Sequence, residues 1–411
     1  MNVLMGLVGI VTLIAIALLL SENRKAINLR TVIVAFLLQA SLGAFVLYVP
    51  AGQSVLSSIA GGVQAVIDSA QAGLNFLFGG LVSDDMFKVF GGGGFVFALR
   101  VLPIIIFFSS FIAVLYYLGI MQKIISVIGG LLQKALGTSK TESLSATANV
   151  FVGQTEAPLI VRPYIAGMTR SELFAVMVGG LASVAGSVLA GYASLGIELK
   201  YLVAASFMAA PGGLLMAKLM VPETSKVDDT LAEKEDEEKP VNVIDAAASG
   251  AASGLQLALN VGAMLLAFIG LIALLNAMVG YVASLFGYDG ITIQLILGYV
   301  FSPLAFLIGV PWHEAVQAGS FIGQKIVVNE FVAYVDFMQV KDSLSPHTQA
   351  IVTFALCGFA NLSSIAILLG GLGAMAPSRR QEIATLGLKA VAAGSLSNLM
   401  SATLAGLFLS I

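Results

Sequence analysis

Charge is scarce in this sequence. Its 411 residues include 20 Lys or Arg and 23 Asp or Glu, a charged share of 10%. That supply cannot coat the surface of a soluble domain of this size, so a soluble helical protein is excluded. A single cysteine, Cys357, rules out an internal disulfide and says nothing about redox compartment. Two histidines, His313 and His347, leave no zinc motif, although Trp312-His313-Glu314 looks superficially metal-like. The net charge of −3 gives nucleic acid no reason to bind.

Apolar sequence fills the space. The hydrophobic share is 58%, against roughly 45–50% for soluble domains, and the mean hydropathy is +0.97. Nearly uncharged runs of about 20 residues recur, the length a helix needs to cross ~30 Å of hydrocarbon. Full spans are expected near 2–20, 31–50, 101–121, 172–194, 201–221, 255–285, 350–376 and 386–410. The first apolar stretch lacks a basic leader and a small-residue cleavage site, which marks it as a retained helix. An amphipathic, glycine-rich region ending "FGGGGF" at 90–95 is expected to lie partly along the membrane surface, and 223–239 is a charged, solvated linker.

Two segments do not fit ordinary spans. In 141–163 the polar run Gly153-Gln154-Thr155-Glu156 follows about a dozen residues, which reach only ~18 Å as helix and cannot cross. A hairpin that enters and returns on one side fits, with the polar run at its tip, inside protein or a watery cavity. The second such segment is 292–325, interrupted by Pro311, Trp312, His313 and Glu314. With both hairpins returning to their own side, most Lys and Arg share one face. Only Lys88, Arg100, Lys200, Lys325 and Lys341 fall on the other, which puts the first face in the cytoplasm and both termini outside.

The chain also repeats itself. Val152 to Ala157 aligns with Val310 to Ala315, and Gly180 to Val184 with Gly358 to Leu362. Three spans separate the two hairpins, so the copies have opposite orientation, an architecture of secondary transporters. The fold class expected is therefore an all-α polytopic membrane protein. It has eight transmembrane helices plus two re-entrant helical hairpins in an inverted repeat, with interfacial amphipathic helices.

Polar groups inside a membrane are costly and point to function by default. They form four clusters here: Asn149 to Glu156, "GGLASVAGS" at 179–187 with Ser183, Glu330 in "VVNEFVAY", and "CGFANLSSIA" at 357–366. Amides, hydroxyls, an aromatic ring and two carboxylates, without Lys or Arg, suit a neutral hydroxyl-rich solute better than an anion. Backbone and hydroxyl oxygens near Asn149, Val152, Ser183 and Val184 suit a hard cation such as Na⁺, with water as the competing occupant. Blander readings pair Glu156 with Arg162, leave Glu330 solvated at the interface, and treat Asn361, Ser363 and Ser364 as interhelical glue and Phe359 as core.

With "GQTEAP", "NEFVAY" and "CGFANLSSIA" in order, the chain resembles the concentrative nucleoside transporters over nearly its whole length, closest to the bacterial sodium-coupled members. "FMAAPGGLL" at 207–215 and the rest of "LCGFANLSSIAILLGGLG" at 356–373 extend the likeness. The resemblance implies a homotrimer in the bacterial inner membrane, each protomer having a scaffold and a transport domain that moves as an elevator. By family position Gln154, Thr155 and Glu156 hold the nucleobase, with Val188, Leu257 and Phe359 beside it. Glu330, Asn361 and Ser364 bind the ribose, and Asn149, Val152, Ser183 and Val184 coordinate one Na⁺ per protomer. Expected partners are a nucleoside such as uridine and the lipid bilayer.

The implied division runs from scaffold helices 1–2 with the glycine-rich region (1–100), through helix 3 and an interfacial helix (101–140), to the first hairpin with helices 4–5 (141–221). The charged linker (222–245), scaffold helix 6 (246–290) and second hairpin with helices 7–8 (291–411) follow. Sodium-driven symport is the expected function and no enzymatic activity is expected. Proton coupling through Glu156 or Glu330 is the nearest alternative, and an intramembrane hydrolase using Ser364 and His313 a remote one.

Overall fold

The computed structural model describes residues 2–90, 94–227 and 240–411. Gly91 to Gly93 of the glycine run and 228–239 of the charged linker lie outside the described residues. Every described element is helical. The chain opens with α1 (Asn2–Leu19), α2 (Leu29–Leu47), α3 (Pro50–Phe78) and two short helices, α4 (Asp85–Phe90) and α5 (Phe97–Arg100). One order of elements is then run through twice. An outer helix comes first, α6 (Leu102–Tyr117) or α13 (Val243–Leu285). A connecting helix follows, α7 (Ile120–Leu136) or α14 (Ile293–Leu307). Next is a hairpin, built from α8 (Lys140–Ala148) and α9 (Arg162–Ile165), or from α15 (Trp312–Val327) and α16 (Glu330–Val340). A broken helix and a long closing helix complete each half: α10 (Arg170–Ala182), α11 (Gly186–Ser194) and α12 (Leu199–Met220), or α17 (Pro346–Leu356), α18 (Ser363–Met375) and α19 (Arg380–Leu409).

Local sequence explains where the hairpins start and turn. Ser139 and Thr169 begin α8 and α10 with capping boxes closed by Glu142 and Glu172. Ser345 caps α17, whose first residue is Pro346. Pro158 sits in the first turn of a short 3₁₀ segment, Ala157–Val161, at the start of the returning arm of the first hairpin.

The second hairpin turns elsewhere than expected. Glu314 accepts from Ser345 N and Oγ at 2.8 Å, the Phe321 and Phe337 rings are 5.6 Å apart, and the chain reverses at Val328–Asn329. Pro311 to Glu314 therefore form the base of this hairpin, beside the start of α17. The alignment of Val310 to Ala315 with the tip Val152 to Ala157 pairs a base with an apex. The repeat is real, but that register is corrected.

Seven described helices are long and apolar enough to cross a membrane by length and composition, and the α14–α15 pair, bent by 116°, would make an eighth. Membership of the set differs from the expected one. α3 qualifies, α1 is just short, and the span expected at 350–376 is broken between α17 and α18. α10–α11, α12 and α19 are buried over most of their apolar length, whereas α6 is mostly half-buried and α13 mostly exposed. α1 and α2 lie against the closing helices. Gln39 donates to Ser401 Oγ at 2.9 Å, and Gly43 sits against Met208 and Phe408.

The two halves run in opposite directions. α10 starts at a charged end, where Arg170 and Lys389 both bond Glu22 Oε1, at 2.9 and 2.8 Å, and Arg379 Nε reaches Glu382 at 2.7 Å. α17 starts at the other end, where His347 lies 3.3 Å from Gly309 O and 3.5 Å from Ser410 Oγ. Both chain termini are at this second end, since Gly6 packs on Leu407.

The charged end predicts a pH response. Hydrogen bonding to Arg170, then to Lys389, holds the Glu22 carboxyl at about 2, below its ordinary 4.5. A depressed carboxylate contributes stability that is full above the unfolded value and is lost as pH falls through the folded one. Thermal melts of purified protein from pH 6 downward should therefore drop between ~4.5 and ~2, and drop less for Glu22→Gln. Equal losses in both proteins would remove Glu22 from the acid response.

Candidate functional site

The two hairpin tips and the two helix breaks meet. The first break follows α10. Ser183 ends that helix with extended backbone, and its Oγ donates back to Gly179 O at 2.8 Å. Its carbonyl accepts from Phe359 N at 3.1 Å, so the breaks touch through their backbones. Each hairpin is tied to its own break in the same way. Gly186 N donates to Phe151 O, and Leu362 N to Ile326 O, both at 3.0 Å.

The residues expected to bind the ribose assemble around one buried carboxylate. Glu330, 4% exposed, accepts from Tyr192 OH through Oε1 and from Asn361 Nδ2 through Oε2, each at 2.9 Å. Asn361 Oδ1 is engaged by Ser364 N at 2.8 Å and Ser363 Oγ at 2.7 Å, which orients its amide toward Glu330. Glu330 is thus no solvated interface charge. A buried carboxylate needs such partners, since removing an ion from water costs several kcal/mol.

The first hairpin meets this set through Gln154, whose Nε2 lies 3.4 Å from Ser364 Oγ. The approach is close enough that Gly180 must lack a side chain, because a Cβ there would stand 2.8 Å from Gln154 Cβ. Thr155 lies against Gly371 of α18. Glu156 is exposed and accepts from Gly153 N at 2.8 Å, so it closes the tip on itself. Val188 is buried on α11, and Leu257 and Phe359 are half-buried against the same apolar core.

Toward the tip of the first hairpin, Ser145 Oγ, Asn149 Oδ1 and Gln154 Oε1 are buried without a hydrogen-bond partner. Asn149 Nδ2 donates to Ser145 O at 2.9 Å, which leaves its Oδ1 open. Val152 is buried three residues after Asn149 and Val184 is buried next to Ser183, and the carbonyl end of α10 adds negative potential. Neutral oxygens of this kind suit a hard monovalent cation. Among the described residues no group of three or more His, Cys, Asp or Glu could hold a metal.

Three residues were missed by sequence reasoning. Tyr192 holds Glu330. Lys325, counted above as a charge outside the membrane, is 2% exposed inside the bundle and donates to Asn398 Oδ1 at 2.6 Å and Ala355 O at 3.0 Å. Asn398 Nδ2 in turn donates to Ala182 O at 2.6 Å and Cys357 O at 2.9 Å, the last residues before the two breaks. The signal was present in Asn398, an amide inside the long apolar run of α19.

Comparison with known proteins agrees with this geometry. The family "Na+ dependent nucleoside transporter C-terminus" matches residues 201–406, its N-terminal counterpart 8–81, and "Nucleoside recognition" 98–198. An uncharacterized transporter of Haemophilus influenzae is 60% identical, covering 100% of this chain and 98% of its own. The nucleoside permease NupC of Helicobacter pylori is 53% identical over 99% of this chain and 98% of its own. The solved structure of CNTnw in an inward-facing substrate-bound state is 63% identical, with a TM-score of 0.98 over 100% of this chain and 99% of that one.

Proposed function

Because the chain belongs to the Na⁺ dependent nucleoside transporters, we propose how its residues divide the work of moving a nucleoside. It is a nucleoside transporter coupled to sodium, and not an enzyme. Glu330, Asn361 and Ser364 bind the ribose hydroxyls; Gln154, Thr155 and Glu156 read the base, with Val188, Leu257 and Phe359 as its apolar wall. The observation that carries this reading is Glu330, buried and held by Tyr192 and Asn361 at the point where Gln154 of the other hairpin reaches Ser364. Nothing among these groups is cationic, and a carboxylate accepts from two sugar hydroxyls at once.

One Na⁺ per protomer binds at Asn149, Val152, Ser183 and Val184. The unpartnered Asn149 Oδ1 supports this. The ion joins the first hairpin to the first break, and so fixes Gln154, which is how cation binding raises nucleoside affinity. Inward movement is driven by the Na⁺ gradient, to which a membrane potential adds ~2.3 kcal/mol per charge per 100 mV. The assembly is a homotrimer in the bacterial inner membrane. The charged end carrying Glu22, Arg170 and Lys389 faces the cytoplasm, and both termini face outward. The hairpins and broken helices travel together with α1 and α2, which lie on α12 and α19, past a scaffold containing α6 and α13.

The test is uptake of labelled uridine into proteoliposomes under an inward Na⁺ gradient, against choline at matched pH. Accumulation should require Na⁺, and Asn149→Ala should raise the Na⁺ needed for half-maximal uptake by about tenfold, the equivalent of ~1.4 kcal/mol. Uptake driven by a pH gradient instead, with Asn149→Ala unaffected, would overturn the cation site while leaving the nucleoside site standing.

A further inference from the structure

Lys325 has no task in the mechanism above. An ammonium this deeply buried is expensive, and an apolar side chain of similar volume would often be as stable, so its presence calls for a role. Its two partners are telling. Ala355 O lies in the last turn before the second break, and Asn398 Oδ1 belongs to the amide that holds the backbone on both sides of the junction. The Glu330 carboxylate is within electrostatic range across the hairpin apex.

Each hairpin accepts one amide from its own break, Phe151 O from Gly186 N and Ile326 O from Leu362 N. In the first half, Ser145 Oγ and Asn149 Oδ1 lie just before Phe151 and lack partners. In the second half Gln324 Oε1 is likewise unpartnered, but Lys325 stands beside it and brings a positive charge of its own to Ala355 O and Asn398 Oδ1. We propose that Lys325 is a tethered cation, filling in the second half the place that a dissociable Na⁺ fills in the first. It keeps the second hairpin joined to its break whether or not the external ion is bound. One half of the repeat therefore responds to sodium while the other does not, and uptake is held to one Na⁺ per nucleoside.

This inference rests on the sodium site proposed for the first half, so wild-type protein is measured alongside the variants. The experiment uses purified full-length protein in proteoliposomes, with Lys325→Ser, which leaves space and a hydroxyl, and Lys325→Arg, which keeps the charge. Labelled Na⁺ and uridine fluxes are counted together, and thermal stability in detergent is titrated with NaCl. Wild type and Lys325→Arg should move one Na⁺ per uridine. Lys325→Ser should approach two, with a steeper Na⁺ dependence, and should regain stability with NaCl to a greater extent than wild type.

The stability titration decides the matter if Lys325→Ser does not transport. A variant destabilised equally at every NaCl concentration, or one that keeps the wild-type flux ratio, has lost a structural lysine only, and the proposal falls. Absence of Na⁺ coupling in wild type would instead overturn the first-half site, an outcome separate from any seen in the variants.

Discussion

Glu330→Gln should raise the nucleoside concentration needed for half-maximal uptake by about 10²-fold while leaving the protein folded. The substitution is nearly isosteric, and its surroundings dictate how the amide sits. Asn361 cannot turn to offer its oxygen, because Oδ1 is engaged by Ser364 N and Ser363 Oγ. The new amide oxygen must therefore face Asn361, and its nitrogen must face Tyr192, whose hydroxyl can rotate to accept. The scaffold of hydrogen bonds survives. What is lost is a charged acceptor for the ribose hydroxyls, and hydrogen bonds to charged groups are worth roughly 1.5–3 kcal/mol each. Lys325 also loses the attraction of that carboxylate.

Substrate choice separates these effects. An analogue without ribose hydroxyls never used that acceptor, so its uptake should change far less than that of uridine, and the preference between the two should narrow. Wild-type affinity for uridine in Glu330→Gln would take Glu330 out of the binding site altogether.

Asn398→Leu should be the most damaging single substitution for stability. Leucine fits the space but leaves Ala182 O, Cys357 O and the Lys325 ammonium without their partner. Each buried carbonyl stranded in this way costs about 1–3 kcal/mol, and stranding a buried charge costs about 3–5 kcal/mol. The terms do not add fully, since one relaxation can serve several groups. A fall in melting temperature of about 10 °C or more is still expected, with uptake abolished.

Gly358→Ala offers an independent approach to the same junction, because its Cβ would stand 2.3 Å from Asn398 Oδ1 and would push the amide out of place. Fluorescence-monitored melts of the purified proteins compare the two. If Asn398→Leu melts within a degree or two of wild type, the breaks are held together by packing and the amide bridge is dispensable.

The comparison of expected and observed hairpins shows why composition reads some features and not others. Gly153 to Glu156 is a polar block in an apolar segment, and it is a hairpin tip. Pro311 to Glu314 is also a polar block in an apolar segment, yet it is a base, where Glu314 anchors the start of α17 through Ser345. Local composition is the same in both cases, because a helix start near the interface and a tip in the protein interior both require polar residues. The true second apex, Val328–Asn329, carries only the polar pair Asn329-Glu330 between Ile326-Val327 and Phe331-Val332, which reads as a lone site cluster and not as a turn. Lys325 was misassigned for the same reason. A single lysine beside an apolar run reads as an interfacial charge until its neighbours are known.

The sequence by itself determined the membrane environment, the inverted repeat and the residue types of the site, because desolvation is severe enough that few polar groups are retained in hydrocarbon without function. The tertiary structure alone decided which of those groups meet. Glu330 and Asn361 are 31 residues apart, Glu330 and Tyr192 138, and Gln154 and Ser364 210. The same holds for the face α1 and α2 present to α12 and α19, for the turn at Val328–Asn329, and for the Lys325–Asn398 bridge. Hydropathy is a property of each residue and survives in a linear reading. A hydrogen bond is a property of two groups at a distance, and it exists only once one helix of each half has broken and its hairpin has closed on the break.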